Sequence, residues 1–157
     1  MSDPTYNTNV YTKQGGDELV VKAGGTIRNQ GVYYRAQPAP TAKTVANTLT
    51  IAELQTKIIN ATPTATGATA AYTLPTGALV EAGVTMEVDD SFDWILINNA
   101  LAAADTITLT AASSGHTIVG NPVVQSLHSS TGAVMGYSSM WRTRKTAFET
   151  FVTYRIA

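Results

Sequence analysis

The densest group of side chains that could do chemistry is the acidic run EVDDSFD at residues 87–93. Its carboxylates, Glu87, Asp89, Asp90 and Asp93, are hard oxygen ligands of the kind that Ca²⁺ binds, but they lack the spacing of an EF-hand loop. A pair of them could also hydrolyse a glycosidic bond, which needs two carboxylates about 5–9 Å apart across a cleft. The favoured interpretation is a solvated acidic loop between strands, so no metal site is predicted.

The chain has two histidines, His116 and His128, and no cysteine. Neither histidine belongs to a zinc-binding spacing such as H-E-x-x-H or to a Cys/His cluster, so we expect turn or surface histidines. Ser138 and Ser139 stand in GYSSM, which is not the G-x-S-x-G pattern of a nucleophile elbow. No phosphate-binding or dinucleotide-binding glycine pattern occurs. The sequence therefore predicts no catalytic residue and no cofactor, and it favours a protein that is not an enzyme.

The charged residues after Trp141 are mostly basic and include a cluster, although the net charge is only −1. Arg142, Arg144 and Lys145 form this cluster, and we predict that they pair with the acidic run around Asp89 and Asp93, within or between subunits. Exposed pairs of this kind contribute about 0–1 kcal/mol each. With no basic stripe or patch of the size that nucleic acid requires, nucleic acid is not an expected partner.

Charged residues make up 13% of the 157 residues, and residues 106–141 contain none. Because solvent-facing sheets usually carry charges, this suggests that several faces are covered, and a partner subunit is one way to cover them. The alternative is a monomer coated with Thr and Ser. The start lacks the features of a signal peptide and no membrane helix is predicted, so we expect a soluble protein made in the cytoplasm, with no membrane partner.

Residues 1–44 read as an extended arm and linker. DELVVK and TIR are predicted strands separated by the turn AGG, and a second turn, NQG, precedes VYYRAQ. PAPTAK is predicted to be a linker because Pro38 and Pro40 oppose both helix and ladder pairing. The apolar residues are too few for an independent core, so the arm is expected to reach for another surface; they are Leu19, Val20, Val21, Ile27 and Val32.

Tyrosines are concentrated in this arm, together with amide side chains and an arginine. Tyrosine offers a large contact area at low entropic cost and is enriched at interfaces. We therefore predict a docking surface in the arm, the alternative being that the tyrosines fold back onto the rest of the chain. The residues assigned to this surface are Tyr6, Asn9, Tyr11, Gln14, Tyr33, Tyr34 and Arg35.

Residues 45–67 are predicted to form one short helix and a connector. Thr50 is the expected N-cap, and Glu53 three residues later completes the pattern of a capping box. The apolar stripe that would dock this helix consists of Ile51, Leu54 and Ile58.

Residues 68–157 are predicted to be a β domain. Its strand-like segments, separated by turn residues, suit a sandwich or barrel: TAAYTL, VTMEV, FDWILIN, DTITLT, HTIVG, AVMGYSSMW and FETFVTYRI. Ile107 and Leu109 should share one face, with threonines opposite. In the last strand, Glu149, Phe151, Thr153 and Arg155 should lie opposite Phe148, Thr150, Val152, Tyr154 and Ile156. DWILIN is apolar on both faces and is expected to be central.

The stretch NVYTKQGGDELVVKAGGTI resembles the amino-terminal segment of small tailed-bacteriophage virion proteins that decorate the head. The carboxyl half resembles the β domain of phage decoration and fibre proteins, in YTLPTGALV, DSFDWILINN, DTITLTAASSGHTIVG and FVTYRI. The resemblance implies a structural protein without catalytic residues. Such proteins sit as trimers at three-fold or quasi-three-fold positions of the icosahedral shell and lock neighbouring capsomers together.

The leading hypothesis is therefore a mainly β capsid decoration (cement) protein, with an arm, a short helix and an antiparallel, jelly-roll-like β-sandwich. Its partners would be the major capsid protein and two further copies of itself, on the outer capsid surface of a virion assembled in the host cytoplasm. One alternative is a head- or tail-fibre tip that binds host-surface carbohydrate through exposed aromatic residues such as Trp141 or Tyr137. Another is a polysaccharide hydrolase that uses the carboxylates of Glu87–Asp93.

Overall fold

The computed structural model describes residues 10–12, 15, 19–21, 25–28, 30–63, 69–100, 105–126 and 137–157. Within these ranges the protein is mainly β, as the sequence predicts, with two short helices. The strands are β1 (Val10–Thr12), β2 (Leu19–Val21), β3 (Thr41–Lys43), β4 (Ile58–Ala61), β5 (Thr69–Thr73), β6 (Ser91–Asn98), β7 (Thr106–Thr110), β8 (His116–Val119), β9 (Val123–Val124), β10 (Ser138–Ala147) and β11 (Thr150–Arg155). The helices are α1 (Ile51–Gln55) and α2 (Gly77–Gly83).

The chain divides into two compact units, Met1–Ala36 and Gln37–Ala157. In the first unit, β1 and β2 form an antiparallel pair in which Tyr11 lies opposite Val20. The strand predicted in DELVVK is therefore present, whereas the strand predicted for TIR is wrong. Those three residues have no regular structure, and Ile27 is 61% exposed. A strand needs a neighbour for its backbone groups, and no described strand pairs with this segment.

The second unit contains two sheets around one core. The larger has the strand order β3-β4-β6-β10-β11-β8, and the smaller has the order β5-β7-β9. The apolar strand β6 lies between β4 and β10, as predicted for DWILIN. At its centre Trp94 and Trp141 lie directly opposite each other and stack, with ring centroids 5.9 Å apart. The other buried members of the core are Leu49, Leu54, Ile59, Ala61, Ala70, Tyr72, Leu74, Leu96, Ile107, Leu109 and Val124.

Both sheets are mixed rather than purely antiparallel, because β3–β4, β4–β6, β5–β7 and β8–β11 are parallel pairs. From β4 to β10 the chain alternates between the two sheets with each successive strand. In the parallel pairs β4–β6 and β5–β7, an intervening strand of the other sheet is part of the crossover connection that parallel strands need, whereas β7–β9 is antiparallel.

The capping box predicted for α1 is present. The Thr50 hydroxyl accepts a hydrogen bond from the Glu53 amide (3.2 Å), and the Glu53 carboxylate accepts one from the Thr50 amide (2.7 Å). The helix is nevertheless shorter than its apolar stripe suggests. Lys57 has a left-handed backbone (φ 66°) that ends the helical turn, and Ile58 then enters β4 and pairs with Ile95. Ile58 was therefore wrongly assigned to the helix.

Three other local predictions differ from the structure. The segment after β5 forms α2, whose N-cap Thr76 accepts a hydrogen bond from the Leu79 amide (3.4 Å), although no helix was predicted there. VTMEV is not a strand, since the chain runs from α2 into a turn at Val88 and Asp89. The second half of the predicted linker PAPTAK is the edge strand β3, because only its prolines oppose pairing.

The side-chain alternation predicted for two strands is confirmed. Ile107 and Leu109 of β7 are buried, whereas its threonines are half-buried on the opposite face. In β11, Phe151 and Thr153 are buried and point to the core. Nothing in the described part of the chain forms a helix long and apolar enough to cross a membrane.

Candidate interaction surfaces

Two of the four carboxylates in the acidic run bind arginines of β10 in the same chain, as predicted. Asp93 and Arg142 are directly opposite each other in the β6–β10 ladder, and the guanidinium donates two hydrogen bonds, of 2.6 and 2.8 Å, to the carboxylate. Arg144 makes an ion pair with Asp89 in the turn that precedes β6. These four side chains form an exposed ion-pair row on the outer face of the larger sheet.

Lys145, the third member of the basic cluster, points the other way. It is buried on the core side of β10, where it donates to the Glu81 carboxylate (2.5 Å) and to the Met86 carbonyl (2.7 Å). The other Glu81 oxygen accepts the Glu149 amide (3.3 Å). The hydrogen bond from Lys145 holds the pKa of Glu81 below its usual value. The pair therefore ties α2 to the β10–β11 turn.

The remaining acidic residues do not converge on a cation site. Asp90 uses one carboxylate oxygen to accept the Glu87 amide (2.9 Å), a local turn contact, while Glu87 is exposed. In the described part of the chain, no three His, Asp or Glu side chains are grouped so that they could hold a metal ion. The arrangement of the run is that of a charged surface turn, which is the interpretation that its sequence favours.

His116 is buried, so its prediction as a turn or surface histidine is wrong. It begins β8 on the core side, next to Phe151 in register. Its Nδ1 lies 2.9 Å from the Pro75 carbonyl, and its Nε2 lies 2.7 Å from the Thr153 hydroxyl. A carbonyl can only accept, so Nδ1 carries the proton and Nε2 accepts from Thr153. Burial lowers the pKa of His116, which favours this neutral form. His128 lies outside the described residues.

The same hydrogen-bond chain continues across the sheet to a tryptophan. The Thr143 and Thr153 hydroxyls are 2.8 Å apart, and Trp94 Nε1 donates to Thr143 (3.0 Å). Since Thr153 donates to His116, Thr143 must donate to Thr153. Every polar group of these four side chains then has a hydrogen-bond partner. We call these residues, Trp94, Thr143, Thr153 and His116, the core hydrogen-bond chain. With all of its groups satisfied, it serves as a structural element.

Trp141 cannot serve as the exposed sugar-binding aromatic residue predicted for the fibre alternative, because it is fully buried. Its indole Nε1 donates to Ser139 (2.6 Å), and the Arg155 guanidinium lies 5.7 Å from its ring centroid. Tyr137, the other residue named for this role, is 43% exposed.

The described docking residues of the arm are accessible. Tyr33 and Tyr34 are 74% and 88% exposed, Arg35 is exposed, and Tyr11 is half-buried in β1. Tyr6, Asn9 and Gln14 lie outside the described residues. From residue 30 to residue 36 every side chain is exposed, including Val32 at 76%. We call residues 30–36 the arm strip.

A cavity of about 480 Å³ lies on the second unit, between the end of α1, the segment after α2 and the start of β6. Its lining includes Lys57, Asp90 and Phe92, together with smaller polar and apolar side chains. Sequence analysis missed this site because its residues come from three separate segments. The acidic run was the only local signal for it.

Comparison with protein-family models, curated proteins and solved structures finds no match to this chain. The candidate surfaces are therefore the arm strip, the ion-pair row and the cavity, each defined by its own geometry.

Proposed function

We propose that this protein is a phage capsid decoration protein that attaches through its arm. The observation that carries the proposal is the arm strip, in which Val32, Tyr33 and Tyr34 are consecutive and are each at least 74% exposed. Single exposed apolar residues are ordinary, but contiguous ones mark interaction sites. Tyr33 and Tyr34 would supply most of the contact area on the shell, with Arg35 as a polar contact.

The packing of the first unit supports a binding role. None of its described residues is buried, so the β1–β2 pair has no core among those residues. An isolated two-stranded hairpin is at best marginally stable in water. Burying one large apolar side chain contributes about 1.5–3 kcal/mol. A foreign surface that covers Val32, Tyr33 and Tyr34 would therefore stabilise the arm.

A trimer and a jelly-roll-like sandwich are the finer parts of this proposal. The two sheets share one core, which supports a sandwich, while the parallel pairs depart from jelly-roll topology. Outside the core, the smaller sheet presents a charge-free face of threonines, with Thr69 bonded to Thr106 and Thr73 to Thr110. This face suits contact with another subunit. Three linked arms would convert weak single contacts into lasting attachment.

The test is co-sedimentation with capsids of the phage that encodes the protein, prepared without it. The triple variant Val32→Ser, Tyr33→Ser, Tyr34→Ser should lose binding while the second unit keeps its thermal midpoint. The matched control, Leu79→Ser with Phe148→Ser, removes apolar side chains that are 57% and 73% exposed on the second unit, and it should bind normally. Full binding by the triple variant would refute the role of the arm. A monomeric mass in solution and on capsids would refute the trimer.

The fibre-tip alternative receives no support from the aromatic residue first predicted for it, since Trp141 is buried. The hydrolase alternative relied on the acidic run, in which Asp89 and Asp93 are bound by arginines. Neither observation favours these functions over capsid attachment.

A further inference from the structure

The cavity on the second unit has the size and lining of a small-molecule site. Such sites span about 300–1,000 Å³, combining apolar surface with a few convergent polar groups, and this cavity measures about 480 Å³. All of its lining residues lie within Gln37–Ala157. Its ligand can therefore be inferred without reference to the arm.

Lys57 is the unusual residue of the lining. It ends α1 with φ 66°, a left-handed conformation at a position where helices commonly place glycine or asparagine. Its backbone is held there, because its amide donates to Leu54 (3.0 Å) and its carbonyl accepts from Ile95 (2.8 Å). Glycine would satisfy this geometry better, so the backbone gives no reason for a lysine.

The ammonium group of Lys57 has no carboxylate partner among the described residues. The described lysines that form ion pairs are Lys43, which binds Glu53, and Lys145, which binds Glu81. A half-buried lysine that lines a cavity and has no ion-pair partner among the described residues is suited to bind an anion on a ligand. A singly charged carboxylate is favoured over a more highly charged phosphate, because Asp90 contributes a negative charge to the same lining.

The rest of the lining favours a ligand that has hydroxyl donors and a compact apolar face. One Asp90 oxygen accepts the Glu87 amide, and the other has no partner in the described part of the chain. A carboxylate accepts only, so Asp90 calls for a donor such as a sugar hydroxyl. Gln55, Thr85 and Ser91 are further exposed polar groups of the lining.

The apolar part of the lining consists of Val84, Met86 and Phe92, which are all half-buried. They offer a surface for the C–H face of a ring. We propose that this cavity binds a carboxylated sugar, with the carboxylate on Lys57, hydroxyls on Asp90 and the polar lining, and the ring against Phe92. This proposed site belongs to the second unit, whereas the proposed capsid contact belongs to the arm strip.

The first experiment titrates the whole chain with sugars and monitors binding by the chemical shifts of the backbone amides. The probes are glucuronate, galacturonate and N-acetylneuraminate, each compared with its uncharged counterpart glucose, galactose or N-acetylmannosamine. At least one acid should bind saturably and at least tenfold more tightly than its counterpart, with shifts at the cavity. If all three acids fail to bind, or bind no better than the neutral sugars, the proposal is overturned. Equal affinity for acetate would overturn the assignment to a sugar.

The second experiment uses variants at Lys57. Lys57→Gly relieves the left-handed backbone, so it should keep or raise the thermal midpoint while weakening binding of the acid at least tenfold. Lys57→Gln tests the same loss of charge if the glycine variant misfolds, and Lys57→Arg should retain binding. Arg142→Gln removes one positive charge that pairs with Asp93 outside the lining, and it is the matched control. Equal loss in Arg142→Gln, or unchanged affinity in both uncharged Lys57 variants, would overturn the site. Capsid co-sedimentation should be unaffected in every variant, which separates this result from a failure of the arm.

Discussion

Replacing Thr153 with valine should destabilise the protein strongly, although the two side chains are similar in shape. The hydroxyl of Thr153 donates to His116 Nε2 (2.7 Å) and receives the hydroxyl of Thr143 (2.8 Å), and all three residues are buried. Valine leaves His116 Nε2 without a donor and the Thr143 hydroxyl without an acceptor. Each orphaned buried group costs about 1–3 kcal/mol, so for the two groups we expect a loss of about 2–6 kcal/mol in the free energy of unfolding.

For a chain of 157 residues, this loss corresponds to a fall of about 4–24 °C in the thermal midpoint. Chemical denaturation monitored by tryptophan fluorescence measures the free energy of unfolding. Trp94 is a suitable probe because it lies at the other end of the core hydrogen-bond chain. Thr150→Val is the control, since Thr150 lies in the same strand but is exposed, and it should change the free energy by less than about 0.5 kcal/mol. A loss below about 1 kcal/mol for Thr153→Val would refute the directional hydrogen-bond chain.

Acidification should lower the free energy of unfolding as the pH falls below about 6.5, because burial lowers the pKa of His116 in the folded state and the unfolded chain then binds the proton first. Denaturant midpoints between pH 7.5 and 5.5 check this, and His116→Asn should remove the slope; a flat wild-type profile would contradict it. Gly77→Ala should lower the free energy of unfolding by more than about 1–3 kcal/mol or prevent folding, because the added Cβ would lie 1.8 Å from the Glu149 carbonyl oxygen. Gly83→Ala, where the Cβ meets a movable isoleucine side chain, should cost less, and the reverse order in thermal unfolding would be inconsistent with this packing. Asp93→Asn removes an exposed ion pair and should change stability by no more than about 1 kcal/mol; a larger loss in chemical denaturation would contradict that assignment.

Local chemistry made parts of the fold predictable. Thr50 and Glu53 specify a helix start within four residues, so the capping box could be identified without tertiary information. The alternation of Ile107 and Leu109 with threonines depends only on the strand period. The run around Trp94, which is apolar on both faces, indicated a central strand, and β6 does lie inside the larger sheet.

The features that sequence analysis missed depend on contacts between distant segments. The burial of His116 follows from its register beside Phe151 and from the Pro75 carbonyl, neither of which is near it in the chain. The parallel pairs β4–β6 and β5–β7 each enclose a strand of the other sheet in their connection, and no local pattern specifies this arrangement. Lys57 looked like a helical residue because the apolar period continues to Ile58, while pairing of Ile58 with β6 overrides it.

The arm and the cavity assign two binding surfaces to separate units of the chain. The arm strip was predictable in outline, since its tyrosines and lack of core residues are visible in the composition of residues 1–44. The cavity was not predictable, because Lys57, Met86 and Phe92 come together only when α1, the segment after α2 and β6 are assembled.

Amide hydrogen exchange of the arm strip, measured free and on capsids, tests the central claim most directly. Residues 32–36 belong to no helix or strand and their side chains are exposed, so in the free protein we expect rapid exchange of their amides. When the protein is bound to capsids, exchange in this strip should slow at least tenfold, while the β10 and β11 amides change little. Capsid-bound protein whose arm strip still exchanges as rapidly as in the free state would contradict the account.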